Sequence, residues 1–357
     1  MQVSKNKLLN EIKKRSNRAR LKNEFALENL EDTIDELYLD KEIKDSQLRA
    51  FFACCNPALS KKEQIIITLK ILSGFSNSEI ANALLSTESS IKKAIYRAKK
   101  SLQEQAINLN APFAHQAQDR IETIHTIIYL IFNEGYKRTT GNSVIGEDLC
   151  FEASRLAFLI SQMEGTHLSE THALLALIYF SMARFPARVN SSGEMIELEI
   201  QDRSKWNSEL INAGSMFLKK SRKSNNLTKY HLEATIASFH CLAENFECTN
   251  WEMITKCYKT LLSLEDNPIV YINYAVALSK WKGGKAGLLL LDEIESSFSS
   301  VFKGNSTQYL FHCAKASMLT SSSDFQLAKV YYQKAYELTT HEMDKVFLMK
   351  KMDELFL

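Results

Sequence analysis

Proline and glycine are the scarce residues of this chain, four and eleven among 357. Both punctuate regular structure, proline by removing an amide donor and fixing φ, glycine by admitting turns that other residues resist. A β-sandwich needs turn residues roughly every ten positions. A dinucleotide-binding α/β fold needs a glycine-rich phosphate loop. This chain has too few of either residue for both, and GNSVIG at Gly141–Gly146 lacks a Walker lysine. The composition therefore predicts an all-α fold of long helices joined by short turns. The length allows two or three domains with sizeable cores.

The longest apolar runs, IIYLIF from Ile127 and ALLALIYF from Ala173, fall well short of the roughly 20 residues a membrane helix needs. The basic N-terminus has no apolar stretch of the signal-peptide kind. A cytoplasmic protein with no membrane partner is expected. The seven cysteines are Cys54, Cys55, Cys150, Cys241, Cys248, Cys257 and Cys313. Their odd number and scatter through apolar helical patterns read as buried free thiols in a reducing compartment. Adjacent Cys54 and Cys55 in FFACCNP read as a packed helix end, since neighbouring cysteines rarely bridge without strain. No spacing matches a zinc site, and His125 and His172 lie inside apolar helical patterns. No metal, cofactor or nucleophile–base arrangement is expected, so the chain does not read as an enzyme.

The net charge of +2 conceals two opposed blocks. Residues 1–22 carry eight cations against Glu11, and residues 23–45 carry nine acids against Lys41 and Lys44. The expected organisation is a basic helix remnant and acidic linker over 1–44, a helix-turn-helix unit over 45–107, a helical extension domain over 112–222 and helix-pair repeats over 228–357. Pro112 marks the boundary after the second of these. In the helix-turn-helix unit, Leu48, Phe51 and Phe52 share a helix face that Pro57 ends. Ser60 caps a helix through Leu72 with Ile65, Ile66, Leu69 and Leu72 on one side.

Between Phe75 and Lys100 the chain reads FSNSEIANALLSTESSIKKAIYRAKK. The pattern predicts a first helix starting after Ser76, capped by Asn77 or Ser78, with Ile80, Ala83 and Leu84 on its buried side. A turn follows at Leu85 and Ser86. Thr87 caps a second helix, with Glu88 in its favourable first turn. Ile91, Ile95, Ala98 and Leu102 recur on that helix as one apolar stripe. The opposite face shows Ser89, Ser90, Lys92, Lys93, Tyr96, Arg97 and Lys100. Small polar residues in front of cations suit a DNA major groove, where the front reaches base edges and the rear grips phosphates. A solvated face on an ordinary helical hairpin would look the same, so the residues alone leave both readings open.

Beyond Pro112 the patterns predict helices over Arg120–Phe132, Gly146–Met163 and Ser169–Phe185. In the irregular stretch that follows, MIELEI alternates apolar and acidic residues, which allows a short β-hairpin near 194–201. Asn133, Glu134, Tyr136, Arg184, Arg188, Gln201, Asp202, Arg203 and Trp206 form a dense polar set. It fits either a ligand or interdomain pocket or a network pinning the irregular stretch. From His231, helix pairs recur, starting near His231 and Asn250, Ile269 and Lys285, Ser306 and Asp324, with a closing helix at Met343–Leu355. The period reads as tetratricopeptide-like repeats.

The stretch Asp45–Gln103 resembles region 4 of an extracytoplasmic-function (ECF) sigma factor. The resemblance rests on Pro57, Leu59 and Ser60, on the core IIITLKILSGFSNSEIA, on Ile91 at the start of the second helix and on RAKKSL at Arg97–Leu102. The remainder resembles a sigma-factor subgroup whose helical C-terminal extension bears tetratricopeptide-like repeats. Its motifs are YLIFNEGY at Tyr129–Tyr136, DLCFEASRLAFLI at Asp148–Ile160 and ARFPARVNSSGEMIELEIQDRSKWN at Ala183–Asn207. The resemblance covers about 40 to 357 of the sequence. It implies that region 4 reads the −35 element of promoter DNA and touches the β flap of the RNA polymerase core. Carried over by position, Thr87, Ser89, Ser90, Lys92, Lys93, Arg97 and Lys100 would meet DNA. Ser90 and Lys93 would meet bases; Lys92, Arg97 and Lys100 would meet phosphates. Phe51 and Phe52 belong to the core rather than the flap contact. The space before region 4 is too short for a sigma region 2, so initiation would need that part from elsewhere.

The expected function is a sigma-factor-like regulator of transcription initiation, with the extension regulating it. The alternatives are an adaptor holding a protein or peptide partner on the repeats, and a ligand-responsive regulator using the central polar set.

Overall fold

The computed structural model describes residues 50–104, 114–138, 145–163, 168–191, 193–223, 226–297, 305–339 and 341–356. Outside them lie Leu48, the basic and acidic segments expected over 1–44, the break at Asn108–Pro112 and most of GNSVIG. Among the described residues the regular elements are helical, and no strand is present. The chain divides into two compact units, one of Met1–Thr139, Ile145–Ala183 and Asn207–Asn225, the other of Thr140–Val144, Arg184–Trp206 and Asn226–Leu357.

The first unit opens with the end of a helix over 50–54, which places Phe51 and Phe52 in the core. Helix α1 (Lys61–Ile71), α2 (Asn77–Ala83) and α3 (Glu88–Glu104) follow. Ser60 caps α1 through a reciprocal capping box with Glu63. The same device starts α2, where the Ser76 side chain accepts from the Glu79 amide and the Glu79 carboxylate accepts from the Ser76 amide. The cap is therefore Ser76, not the expected Asn77 or Ser78: only Ser76 has a glutamate three residues on. The helix starts after Ser76 as expected, and its inward face is Ile80 and Ala81, with the expected Ala83 and Leu84 only partly covered.

Helices α4 (Ala114–Tyr136), α5 (Glu147–Ser161), α6 (Leu168–Ala183) and α8 (Ser208–Ser221) complete this unit. Helix α6 is buried at nearly every position from Thr171 to Ala183, as expected of a helix apolar all round. It packs on α4, α5 and α8. The contact with α8 is close at Gly214, where a Cβ would lie 2.9 Å from the Phe180 ring. Helix α4 also packs on α1 and α2. There Arg120 Nη1 donates to the Phe52 carbonyl at 2.6 Å and Lys61 pairs with Glu122 at 2.8 Å. His125 is wholly buried, its Nε2 2.8 Å from the Thr171 hydroxyl.

The second unit starts with a single turn, α7 (Phe185–Arg188), and two 3-10 turns at Leu198–Ile200 and Arg203–Lys205. The β-hairpin allowed near 194–201 does not form. One isolated antiparallel bridge joins Val189 to Met195, and the rest of MIELEI runs into a 3-10 turn. Its alternation reflects acids that pair with lysines of the later helices rather than a sheet (Glu197 with Lys351, Glu199 with Lys280). Helices α9 (Lys229–Leu242), α10 (Trp251–Leu264), α11 (Pro268–Lys282), α12 (Gly284–Ser297), α13 (Asn305–Ser321), α14 (Phe325–Leu338) and α15 (Glu342–Glu354) follow. They begin close to the positions expected from the repeat. Each apolar cluster joins consecutive helices. Leu232, Ile254 and Val270 link α9 to α11; Ile272, Leu291 and Phe311 link α11 to α13; Leu319, Tyr332 and Leu348 link α13 to α15. Stacking of this kind lets each pair bury its face only against its neighbours.

All seven cysteines are free; Cys248 is exposed and Cys54 and Cys313 partly so, whereas the other four are buried. Burial pushes the Cys54 thiol up to about 11 and that of Cys55 to about 12. Neither is a ready thiolate, in keeping with a packing role. Among the described residues no helix is long and apolar enough to cross a membrane.

Candidate nucleic-acid interface

Helix α3 owes its orientation to two anchors. The first is its start. Thr87 Oγ1 accepts from the Ser90 amide and sits 3.1 Å from the Ser89 hydroxyl. The preceding turn closes α2 as a Schellman motif, with Ser86 N donating to Ala81 O at 2.8 Å and Leu85 N donating to Asn82 O at 3.2 Å. That motif puts its turn residue at positive φ, normally a glycine's place, yet here Leu85 holds φ 47° and is half exposed.

The second anchor is the apolar stripe. Ile91 and Ala98 are fully buried, and Ala94 and Ile95 nearly so. Helix α3 packs through them on α1 and α2. Burying an isoleucine contributes on the order of 2 kcal/mol, so the stripe fixes which side of α3 meets water.

That outer side carries the expected set. Thr87, Ser89, Lys92, Lys93, Arg97, Lys99 and Lys100 are exposed, and Ser90 partly exposed. Five cations therefore share one stretch of helix surface. Arg97 leans toward α1, its Nε 3.7 Å from Glu63 Oε1 with 70% of its side chain exposed, a loose pair that costs little to exchange. Two residues of this surface were given no contact from sequence, Tyr96, which the pattern placed on this face, and Glu63. Tyr96 stands in the middle of the cations at 72% exposure, a flat amphipathic group of the kind that packs on bases or sugars. Glu63 is an acid at the margin. Its position was legible in Ser60-x-x-Glu63, since that spacing puts it in the first turn of α1.

The central polar set is distributed over both units. Asn133 (exposed), Glu134 (buried) and Tyr136 (partly buried) are on α4 in the first unit, with the Tyr136 ring 5.6 Å from Phe132. Arg184, Arg188, Gln201, Asp202, Arg203 and Trp206 are in the second unit. There Arg184 donates to Gln201 Oε1 at 3.2 and 3.3 Å, and Gln201 Nε2 donates to the Ile196 carbonyl at 2.8 Å. Both Arg184 and Arg203 lie over the Trp206 ring, at 5.6 and 4.5 Å. Arg203 Nη1 donates to the His240 and Ala243 carbonyls at 2.7 and 2.8 Å, tying the irregular stretch to the end of α9. Arg188 is buried against the Phe185 ring at 5.9 Å, and Asp202 caps the turn at Ser204. Burial, reinforced by the two guanidinium charges, holds the His240 imidazole down at about 3, so it is neutral at physiological pH.

Comparison with known proteins matches two stretches of the chain. Residues 53–102 match the family described as Sigma-70, region 4. Residues 120–222 match a family of unknown function, DUF6596. A protein of Rhizobium meliloti (strain 1021), described as "Uncharacterized protein R00370", is 31% identical over 356 residues, covering 99% of this chain and 82% of the relative. No solved structure matches. The exposed basic helix thus falls inside the region 4 match, and the chain belongs to the family of that Rhizobium protein, sigma-factor-like through its Sigma-70 region 4 domain.

Proposed function

We propose that this chain is a regulator of transcription initiation of the ECF sigma-factor class, acting in the cytoplasm and not as an enzyme. In this reading α3 enters the major groove of a −35 promoter element, and the same domain touches the β flap of the RNA polymerase core. The observation that carries it is the two-sidedness of α3: a sealed apolar stripe beneath five exposed cations, within the residues that match Sigma-70 region 4. Ser90 and Lys93 lie toward the front of the helix and would face base edges, with Thr87 and Ser89 meeting DNA beside them. Lys92, Arg97 and Lys100 lie where phosphates pass. Tyr96 would pack between them. The helical extension and its tetratricopeptide-like repeats would regulate this binding.

The test is a selection of duplexes from a randomised library by the full chain, followed by fluorescence anisotropy on the enriched duplex. Lys92→Ala/Arg97→Ala/Lys100→Ala is expected to flatten the salt dependence of log K by about 0.9 per lost phosphate contact. Failure to enrich any sequence, together with equal binding by the variant, would remove the DNA-reading surface from this helix. A second reading, an adaptor that holds a partner on the repeats, is favoured by the stacked helix pairs. Capture of the flap region by the full chain would separate it from the sigma reading.

A further inference from the structure

We propose that the face of the helix-pair array marked by Lys280 and Lys351 is a docking surface for an acidic segment with carboxylates at alternate positions, and that residues 193–201 of the chain occupy it in cis.

The occupant is an irregular piece of chain that lies on the surface of the second unit instead of entering its core. Within the bridge between Val189 and Met195, a turn at Gly193 (φ 82°) opens GEMIELEIQ. Glu197 and Gln201 are extended (φ −61°, ψ 145° and φ −66°, ψ 132°), with one 3-10 turn between them. Met195, Ile196 and Leu198 are only partly covered, and Ile200 is 71% exposed. Hydrogen bonds close the segment's two ends, Ile196 N donating to the Arg188 carbonyl at 2.8 Å and Arg184 to Gln201 Oε1 at 3.2 Å, and charge ties its middle to the array. Glu197 Oε2 pairs with Lys351 at 2.5 Å and Glu199 Oε2 with Lys280 at 2.8 Å.

Both lysines are built into the array. Lys280 Nζ lies 5.0 Å from the centre of the Phe246 ring and Lys351 Nζ 5.7 Å from that of Phe347. Lys280 is on α11 and Lys351 on α15, each the leading helix of its step; Gly193 faces Met343 at the start of α15. Arg203, just past the segment, bonds the carbonyls at the end of α9, another leading helix. The segment therefore runs along one side of the stack. Its two ion pairs are partly exposed, so each contributes little and is screened by salt. Such a grip fixes the segment when no competitor is present and releases it to a second acidic chain of the same spacing.

The experiment uses the full chain and a fluorescein-labelled GEMIELEIQ peptide, read by anisotropy. In the unmodified chain the tethered segment competes at high effective concentration. Glu197→Gln/Glu199→Gln frees the lysines and is expected to tighten peptide binding roughly three- to tenfold. Adding Lys280→Gln/Lys351→Gln is expected to abolish it, and a peptide with both glutamates replaced by glutamine is expected not to bind. Circular dichroism checks that each variant is folded. A second measurement needs no variant: an excess of the acidic peptide should accelerate hydrogen exchange over 193–201 in the unmodified chain. Peptide binding no tighter to the released variant, binding that survives loss of both lysines, or exchange untouched by the peptide would each overturn the proposal. None of these outcomes depends on whether α3 binds DNA.

Discussion

Replacing Glu63 by glutamine is expected to tighten the binding of promoter DNA, although it removes no clash and adds no contact. Glu63 does two things in the structure. Its Oε2 closes the capping box with the Ser60 amide and hydroxyl at 3.2 and 2.7 Å, and its Oε1 lies 3.7 Å from Arg97 Nε. Glutamine can still close a capping box, so α1 keeps its start. The charge is lost, and Arg97 meets a phosphate without first leaving a carboxylate. At 3.7 Å, two unit charges in bulk water attract by about 1 kcal/mol. The guanidinium is mostly exposed, so the measurable value falls to about 0.2–1 kcal/mol, a gain in affinity of about 1.4- to 5-fold. Anisotropy on the enriched duplex at moderate salt would read this. Urea denaturation would check that stability moves by less than about 0.5 kcal/mol. Glu252→Gln serves as the control. It removes an equally negative, exposed residue that pairs with Lys256 in the second unit, and it is expected to leave DNA binding unchanged. Unaltered or weaker binding by a folded Glu63→Gln, or an equal gain from the control, would refute the placement of Arg97 at the DNA backbone.

Ile91→Ala removes the fully buried anchor of α3 and should cost about 2–5 kcal/mol. Hydrogen exchange should show this as lost protection concentrated in α1–α3. Gly287→Ala would place a Cβ 2.6 Å from Ser279 Cβ and 2.8 Å from the Ala275 carbonyl. Overpacking of about 1–3 kcal/mol should then outweigh the gain in helix propensity of about 1 kcal/mol, and the melting temperature should drop. His240 is held neutral in the folded chain, at about 3 against an ordinary 6.5. The unfolded chain therefore takes up this proton first, and stability should fall as pH drops from 6.5 toward 3, by at most about 1.4 kcal/mol per pH unit. His240→Phe should flatten that part of the pH–stability curve measured in urea.

The parts of the fold that follow a single period were legible in the residues. Ile91, Ile95 and Ala98 recur at helical spacing and are buried, and the cations opposite them are exposed. The helix pairs from α9 onward were legible for the same reason: each stacks on its sequence neighbours, so local pattern and tertiary contact coincide. Where two local rules competed, the reading slipped. Ser76, Asn77 and Ser78 can all cap a helix, and the choice rested on which had a glutamate at the third position beyond it. MIELEI has the alternation of a strand, but no partner strand lies beside it, and its acids are taken up by lysines about 80 and 150 residues away in sequence. Pairings at that range leave no periodic trace. The central polar set shows the same limit. The residues of Ala183–Asn207 are adjacent in sequence to those of α6, yet Arg184 to Trp206 belong with the second unit. The role of Glu63 beside Arg97 depends on how α1 crosses α3, which spacing within either helix does not encode.

The two residues that flank the loop of 184–206 are joined directly, the Asn207 amide donating to the Ala183 carbonyl at 2.9 Å. Because the entropy of closing a loop grows only with the logarithm of its length, doubling or halving this one would shift stability by only about 0.6 kcal/mol. Lineages can therefore rewrite what this loop displays, including the spacing of its acids, while α6 and α8 stay packed as they are. Exchanging the loop between relatives should carry binding preference along with it.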